Sequence, residues 1–384
     1  KFSLQNNMFS ETMFALGNGY IGIRGSFEEG LADADCRTVD GIYLNGFYES
    51  VPIPHAERGY GYAENTQTML NVTNSKIIEL YVEDERFSMT SGKMLDYTRY
   101  LDMEEGILRR ELTWRSPEGR DIKVTVSRLV SFAYRHLLAF QYRVEPLNFS
   151  GKMVICSSLD GNVDNHTHEE EDPRFSASLG GLGLSVQSTS GEGSLALMLQ
   201  RTTRSKLMLA CATEHTIEGG SELSLNRLEA DGKVAVRYQL HTEVNEEICL
   251  EKYVSYYTSR DYPQEDLSGL ASKMVDTAKK KGFLELHKLQ KQNLNLFWEK
   301  SGISIKGDRA AEQGLRFSLF HMKQVAGSDG KTGIGAKGLS SEGYDGHYFW
   351  DTEIYMIPFY ASLMPEEAKR LLEFRYSILE QARD

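Results

Sequence analysis

The sequence alternates at Ile122-Lys123-Val124-Thr125-Val126-Ser127 and again at Leu138-Ala139-Phe140-Gln141-Tyr142-Arg143-Val144-Glu145. In both runs every second side chain is large and apolar. Successive residues of a strand point to opposite faces of a sheet, so a period of two is typical of a half-buried strand. Both runs are therefore predicted to be β-strands.

Further runs of this kind predict strands over 77–82, 153–159, 195–199, 207–212 and 234–240. Turn sequences separate them, among them Ser116-Pro117-Glu118-Gly119, Gly180-Gly181, Gly219-Gly220 and Asp231-Gly232. Many short strands with no helices between them indicate antiparallel sheets. We expect residues 1–262 to form one large β-sandwich.

The period changes to 3.6 after Pro263. Helices are predicted over 266–281 and 283–300, divided at Gly282, and a third is predicted to begin around Asp308. We assign residues 263–306 to a helical linker and residues 307–384 to the start of a helical domain.

A glycine-rich loop at 327–346 leads into the rest of the helical domain. The apolar stretch 348–363 predicts a buried helix interrupted by Pro358. Pro365 opens another helix, with acidic residues in its first turn. That helix reaches residue 384 without a stop signal, so we expect more helices beyond it.

Length and net charge limit the number of domains and the classes of ligand to be expected. The 384 residues suit two or three domains, and the net charge of −12 argues against binding to nucleic acid or an anionic membrane. A neutral or small ligand fits better. No apolar run is long enough to cross a bilayer, and residues 1–5 lack a signal-peptide pattern, so we expect a cytoplasmic protein.

The cysteines are isolated in sequence, which indicates free thiols in a reducing compartment, although a pairing of two of them stays open. They are Cys36, Cys156, Cys211 and Cys249.

Side chains suited to a sugar are densest at Gly343-Tyr344-Asp345-Gly346-His347-Tyr348-Phe349-Trp350-Asp351-Thr352-Glu353. Aromatic rings offer flat apolar faces, and carboxylates accept strong hydrogen bonds from hydroxyl groups. The local sequence leaves an alternative open, in which Trp350 is a packing aromatic and Asp351 caps a helix.

Three other patterns receive structural interpretations. Gly17-Asn18-Gly19-Tyr20-Ile21-Gly22 is predicted to be a tight turn before a strand rather than a dinucleotide site, and Gly330-Lys331-Thr332-Gly333 is not expected to be a phosphate loop. The run His166-x-His168-Glu169-Glu170-Glu171-Asp172 could bind a cation, but it is interpreted as a solvated loop, so no metal site is predicted.

Two long motifs resemble glycoside hydrolase family 65. The first is Glu11-Thr12-Met13-Phe14-Ala15-Leu16-Gly17-Asn18-Gly19-Tyr20-Ile21-Gly22-Ile23-Arg24-Gly25-Ser26-Phe27-Glu28-Glu29, and we call it the N-terminal signature. The second is Lys337-Gly338-Leu339-Ser340-Ser341-Glu342 followed by 343–353, and we call it the hallmark segment. The resemblance implies a galactose-mutarotase-like β-sandwich (a super-sandwich), a helical linker and the start of an (α/α)6 barrel.

The resemblance also implies an activity. Family members such as maltose, trehalose, kojibiose and nigerose phosphorylases cleave an α-linked glucose disaccharide with inorganic phosphate, inverting the anomeric carbon to give β-glucose 1-phosphate. It implies no metal or organic cofactor, with phosphate as co-substrate, and a homodimer. The linkage is not distinguished. A trehalase-like hydrolase of the same fold and a non-catalytic carbohydrate-binding protein are the alternatives.

By the resemblance, His347, Trp350 and Asp351 bind substrate, at the subsite for the non-reducing glucose. The general acid, a glutamate, is expected beyond Asp384, and Glu353 does not match it. We interpret Arg24 and Tyr20, both in the N-terminal signature, as structural.

Overall fold

The computed structural model describes residues 4–31, 38–53, 57, 59–166 and 183–383. The predicted turn at Gly180-Gly181 and Cys36 lie outside these residues. The strands of the described residues are β1 Leu16–Gly17, β2 Ile21–Ile23, β3 Ile42–Pro52, β4 Asn65–Asn71, β5 Ile78–Val82, β6 Glu85–Arg86, β7 Lys93–Asp102, β8 Ile107–Arg115, β9 Asp121–Val130, β10 Leu137–Pro146, β11 Gly151–Asp160, β12 Leu184–Ser190, β13 Ala196–Thr202, β14 Met208–Glu218, β15 Ser221–Ala230, β16 Lys233–Thr242 and β17 Ile248–Thr258.

These strands form three antiparallel sheets. An eight-stranded sheet has the order β12-β13-β14-β17-β10-β9-β8-β7, and a five-stranded sheet has the order β15-β16-β11-β5-β6. The four strands β1-β2-β3-β4 form the third sheet. Each strand predicted from the sequence lies within one of these elements or starts one residue before it, and the antiparallel architecture is confirmed.

The alternation in β10 sorts its side chains between two cores. Phe140 and Tyr142 face a core shared with the five-stranded sheet, to which Leu80 and Ile155 contribute. Ala139 belongs to a second core on the opposite face of the sheet. The central sheet is thus covered on both faces, which explains why a strand with period two is buried almost throughout.

A kinked helix covers that second face. The helices of the described residues are α1 Asn7–Met13, α2 Leu267–Ser301, α3 Arg309–Val325, α4 Ile357–Leu363, α5 Pro365–Ser377 and α6 Leu379–Arg383. Along α2, Ala271 and Val275 pack on the sheet beside Ala139. Gly282 interrupts α2 with a φ of 76°, a conformation that favours glycine, so the predicted division into two helices is confirmed.

Two predictions about the helical part are wrong. The stretch 348–363 is not one continuous α-helix, and within these 384 residues Trp350 and Tyr355 are 63% and 68% exposed. It consists of a π-helical turn at Thr352–Met356 followed by α4, whose first turn contains Pro358, where proline costs no hydrogen bond. The last helix is also not continuous, since Ile378 leaves helical geometry between α5 and α6.

The start of α3 agrees with its sequence. Asp308 is the N-cap, and its side chain accepts a hydrogen bond from the amide of Ala311 at 2.9 Å. None of the helices in the described ranges is long and apolar enough to cross a membrane.

Candidate functional site

The hairpin of the N-terminal signature contacts the segment that leads to the hallmark segment. The amide of Gly17 donates to Oε1 of Gln324 at 2.7 Å, and the amide of Gly19 donates to the Gln324 carbonyl at 2.6 Å. A Cβ on Gly22 would lie 2.0 Å from the carbonyl oxygen of Leu339. The glycines therefore allow close approach between two backbones, within the tight turn that the sequence predicts.

Arg24 continues this contact into the hallmark segment itself. Its guanidinium donates to the carbonyls of Ser340 at 2.6 Å and Val39 at 2.5 Å, and to the hydroxyl of Thr12 at 2.8 Å. Arg24 is 4% exposed, and Tyr20 is 1% exposed inside the sandwich. Both residues are structural in this chain, as predicted.

The turn that presents the hallmark segment rests on β3 and β4. Tyr344 and Asp345 adopt φ angles of 58° and 56°, which residues other than glycine seldom adopt. Thr68 donates to a carboxylate oxygen of Asp345 at 3.3 Å, and Tyr48 donates to the carbonyl of Gly346 at 2.7 Å. Contacts from the sandwich thus offset the strain of the turn.

A buried asparagine joins three parts of the chain. Asn45, on β3, donates to the carbonyls of Gly19 at 3.0 Å and Gly333 at 3.1 Å, and accepts from the hydroxyl of Tyr348 at 2.7 Å. Burial raises the pKa of Tyr348 to about 12, so the phenol stays protonated and donates. Asn45 therefore couples the signature hairpin, the glycine-rich loop and the hallmark segment.

The loop that resembles a phosphate loop is organised around a carboxylate of the chain. Asp329 accepts from the Lys331 amide and the Thr332 hydroxyl at 2.9 Å, and pairs with Arg135 at 2.7 Å and Arg260 at 2.9 Å. Burial alone would raise the pKa of Asp329, but these partners lower it. A loop whose donors already bind a carboxylate does not fit an anionic ligand, in agreement with the sequence interpretation.

His347, Trp350 and Asp351 lie together where the loop becomes helical. Nε2 of His347 donates to the Gln67 carbonyl at 2.6 Å, which fixes the ring on β4. The Trp350 ring is 63% exposed, with its centroid 6.0 Å from that of Tyr355. Asp351 is exposed and precedes the π-helical turn without a side-chain capping bond. Within the described residues, Trp350 is thus not packed into a core and Asp351 does not cap the turn through its side chain.

The neighbouring carboxylates are engaged in the fold. Both oxygens of Glu353 accept from Arg375, at 2.7 and 3.1 Å. Glu342 is 3% exposed and accepts from the hydroxyl of Tyr43. Burial, followed by Glu342, raises the pKa of Tyr43 well above its usual value. Asp351 differs from both because it faces solvent.

Sequence analysis missed Asn45, Tyr48 and Asp329. Their roles depend on contacts between residues hundreds of positions apart, and nothing in the flanking sequence of each marks it.

Most of the run that could bind a cation, residues 167–172, lies outside the described residues. The amide of His166, at its start, donates to Glu342 at 2.5 Å. Within the parts of the chain that the structure covers, no group of three metal-ligating side chains could hold an ion.

Family models match nearly the whole chain. Residues 1–297 match the model described as "Glycosyl hydrolase family 65, N-terminal domain". Residues 316–384 match the one described as "Glycosyl hydrolase family 65 central catalytic domain".

Similar proteins include two α,α-trehalose phosphorylases. That of Thermoanaerobacter brockii is 43% identical over 384 residues, which cover 100% of this chain and 49% of the relative. That of Geobacillus stearothermophilus is 37% identical and is covered to 49%. A kojibiose phosphorylase of Halothermothrix orenii is 31% identical and is covered to 47%.

A solved structure described provisionally as a kojibiose phosphorylase, from human microbiome, superposes with a TM-score of 0.88 at 28% identity. The superposition covers 99% of this chain and 48% of the length of that structure. This chain therefore spans about half the length of the relatives it matches.

Proposed function

The chain belongs to glycosyl hydrolase family 65, and from this premise we propose that the whole protein is a disaccharide phosphorylase. It cleaves an α-linked glucose disaccharide with inorganic phosphate and releases β-glucose 1-phosphate and a free sugar. Support comes from the trehalose and kojibiose phosphorylases that match the full length of this chain.

One observation in this chain carries the proposal. Trp350 and Asp351 present an aromatic face and a carboxylate to solvent, whereas Tyr348 beside them is held by Asn45. A pyranose needs an apolar face for its C–H groups and charged acceptors for its hydroxyls. In the proposal, Trp350 packs on the non-reducing glucose and Asp351 accepts from its hydroxyl groups.

His347 completes the proposed subsite. A carbonyl can only accept, so Nε2 of His347 donates to the Gln67 carbonyl. In the proposal, Nδ1 is the ring nitrogen that remains available to a sugar hydroxyl. The ring is oriented by β4, so the sandwich takes part in shaping the subsite.

The proposed chemistry is an inverting displacement. A carboxylic acid protonates the leaving oxygen while phosphate attacks the anomeric carbon from the opposite face. Phosphate is already anionic, so it needs positioning more than a general base. We do not assign the acid to Glu353, whose two oxygens accept from Arg375, and we propose that it lies outside residues 1–384.

Trehalose is the substrate to test first. The trehalose phosphorylases named above are 43% and 37% identical to this chain, against 31% for the kojibiose phosphorylase. Phosphate acts as co-substrate in this scheme, and neither a metal nor an organic cofactor is needed. A homodimer remains a prediction, which light scattering of the purified protein would check.

A cytoplasmic location is part of the proposal. Cys156, Cys211 and Cys249 are free thiols, and burial raises their pKa values to about 11, 12 and 11. Free thiols of this kind suit a reducing compartment, where disulfides do not form.

Proton NMR of the full-length protein tests the reaction. Trehalose, kojibiose, maltose and nigerose are supplied with and without phosphate. We expect β-glucose 1-phosphate from trehalose only when phosphate is present. Free glucose without phosphate would instead identify a hydrolase, and no cleavage of any sugar would favour a carbohydrate-binding protein.

Variants test the site. Asp351→Asn removes a charged acceptor, and a lost charge-assisted hydrogen bond of ~1.5–3 kcal/mol predicts a fall in kcat/KM of about 10–100-fold. The control Glu366→Gln changes a carboxylate in the first turn of α5 and should retain activity. Equal activity of the two variants would remove Asp351 from the subsite.

A further inference from the structure

Five charged side chains form a buried group behind the N-terminal signature, which we call the arginine cage. Its members are Arg99 on β7, Arg110 on β8, Arg128 on β9, Glu28 and Glu29. Arg110 pairs with Glu28 at 2.9 Å and with Glu29 at 2.7 Å, and Arg128 lies 3.4 Å from Glu28. Three guanidinium groups thus face two carboxylates, and four of the five residues are at most 3% exposed.

No other carboxylate among the described residues pairs with the arginines of the cage. Asp40, which also faces Arg128, is engaged by Lys76 in an ion pair of its own. The hydroxyl of Tyr142 donates to Glu29 at 2.7 Å, and burial followed by Glu29 raises the pKa of this phenol well above its usual value. The phenol is therefore neutral, and one positive charge stays uncompensated by the described residues.

Burial and the neighbouring Arg128 disfavour the charge of Arg99. Burial, followed by the charge of Arg128, lowers the pKa of Arg99 to about 10. The Nε atoms of Arg99 and Arg110 are buried and have no hydrogen-bond partner among the described residues. Buried donors normally have a partner, and a buried charge normally has a counter-charge.

A small cavity lies at the same place. It measures about 10 Å³ and is lined by Arg99, Arg110, Arg128, Glu28, Leu108 and Val126. That volume is close to the minimum of about 10–15 Å³ for one water-sized particle. A polyatomic anion such as phosphate is too large, and a water molecule would leave the charge uncompensated.

We propose that the arginine cage binds one monovalent anion, chloride under ordinary conditions, which accepts from the two orphan Nε–H groups and balances the third guanidinium. The same arginines hold the signature, since Arg99 donates to the Gly25 carbonyl and Arg128 donates to the Ser26 carbonyl at 2.8 Å. The anion therefore stabilises the backbone that positions Arg24.

Bromide crystallography of the full-length protein tests the site without any mutation. Crystals grown or soaked in sodium bromide should show an anomalous peak in the cavity between Arg99, Arg110 and Arg128. An ordered water with no anomalous signal, or an empty cavity, would overturn the proposal.

Thermal unfolding provides a second test. At equal ionic strength, chloride or bromide should raise the Tm by about 2–4 °C over gluconate, which is too large for the cavity. Arg99→Gln removes the excess charge and should abolish the difference. The matched control Arg109→Gln alters an arginine on the same sheet that pairs with Glu105 at 3.1 Å, and should retain it. An equal halide effect in both variants, or none in the unmodified protein, would refute the site.

Discussion

Replacing Asn45 with alanine should weaken both the fold and the proposed glucose subsite. The side chain is 3% exposed and makes three hydrogen bonds, to Gly19, Gly333 and Tyr348. Each bond contributes about 0.5–1.5 kcal/mol, so their loss predicts a destabilisation of ~2–4 kcal/mol. The buried carbonyls of Gly19 and Gly333 would lose the donor that Asn45 supplies, which places the estimate in the upper half of that range.

The measurement is urea unfolding of the full-length protein, followed by tryptophan fluorescence. Trp350 lies two residues from Tyr348, so its emission also reports the hallmark segment. The control is Asn226→Ala, which removes an exposed asparagine that donates to Ser224 at 3.1 Å, and it should change stability by less than ~0.5 kcal/mol. In phosphorolysis assays, Asn45→Ala should raise KM more than the control does. Equal stability of the two variants would refute the coupling role of Asn45.

Three further predictions follow from packing, burial and the extent of the chain. Gly22→Ala places a Cβ 2.0 Å from the Leu339 carbonyl oxygen and should lower the urea midpoint of unfolding. The control Gly314→Ala lies inside α3 with open space around it and should raise stability by ~0.5–1 kcal/mol. The opposite order of the two midpoints would contradict the close approach of the two motifs. Burial lowers the pKa values of His136 and His215 to about 4 and 3. As the pH falls below about 6.5, these histidines take up protons in the unfolded chain but not in the folded one, so stability should fall toward pH 4. An unchanged urea midpoint between pH 7 and pH 5 would argue against this. The isolated 384-residue chain should show no phosphorolysis by NMR, and turnover would move the general acid into this chain.

Strands with clean alternation could be predicted from the sequence, and the structure shows why others could not. β10 presents one face to each of two different cores, and its larger apolar residues share one face, so its period is visible. β17 was missed because it is buried on both faces over most of its length and therefore shows no alternation. Polar residues such as Lys252 also interrupt its apolar run. Lys252 is tolerated there because its ammonium donates to the carbonyls of Ile77 and Ser158 at 3.1 and 3.2 Å.

The helical part is the start of a domain, in a chain that spans about half the length of its relatives. The apolar stretch around Ile354 and Tyr355 predicts a buried helix, and within these 384 residues both side chains are more than half exposed. Apolar content indicates that a surface will be covered or used, but it does not say by what. Caps and turn residues were more reliable, because Asp308 acts through a side-chain hydrogen bond three residues away and Gly282 acts through its own backbone geometry.

The candidate site could be located from the sequence but not assembled from it. His347, Trp350 and Asp351 are adjacent in sequence, so their proximity was never in doubt. The residues that hold this segment in place could not be predicted. Gln67 and Asn45 are about 300 residues away and belong to strands that sequence analysis did not identify.

The contacts between the two motifs give a physical reason for both to be in one chain. The loop from 326 to 350 has little regular structure of its own, and an isolated loop of that length would lose much entropy on ordering. Gly17, Arg24 and Asn45 offset that cost with buried hydrogen bonds to Gln324, Ser340 and the hallmark segment. The sandwich is thus the rigid element on which the proposed glucose subsite is built, and helices α3 to α6 alone would leave the backbone around His347 and Trp350 without its partners. Substitutions in the N-terminal signature should therefore affect sugar binding as well as stability, although no signature residue needs to contact the sugar.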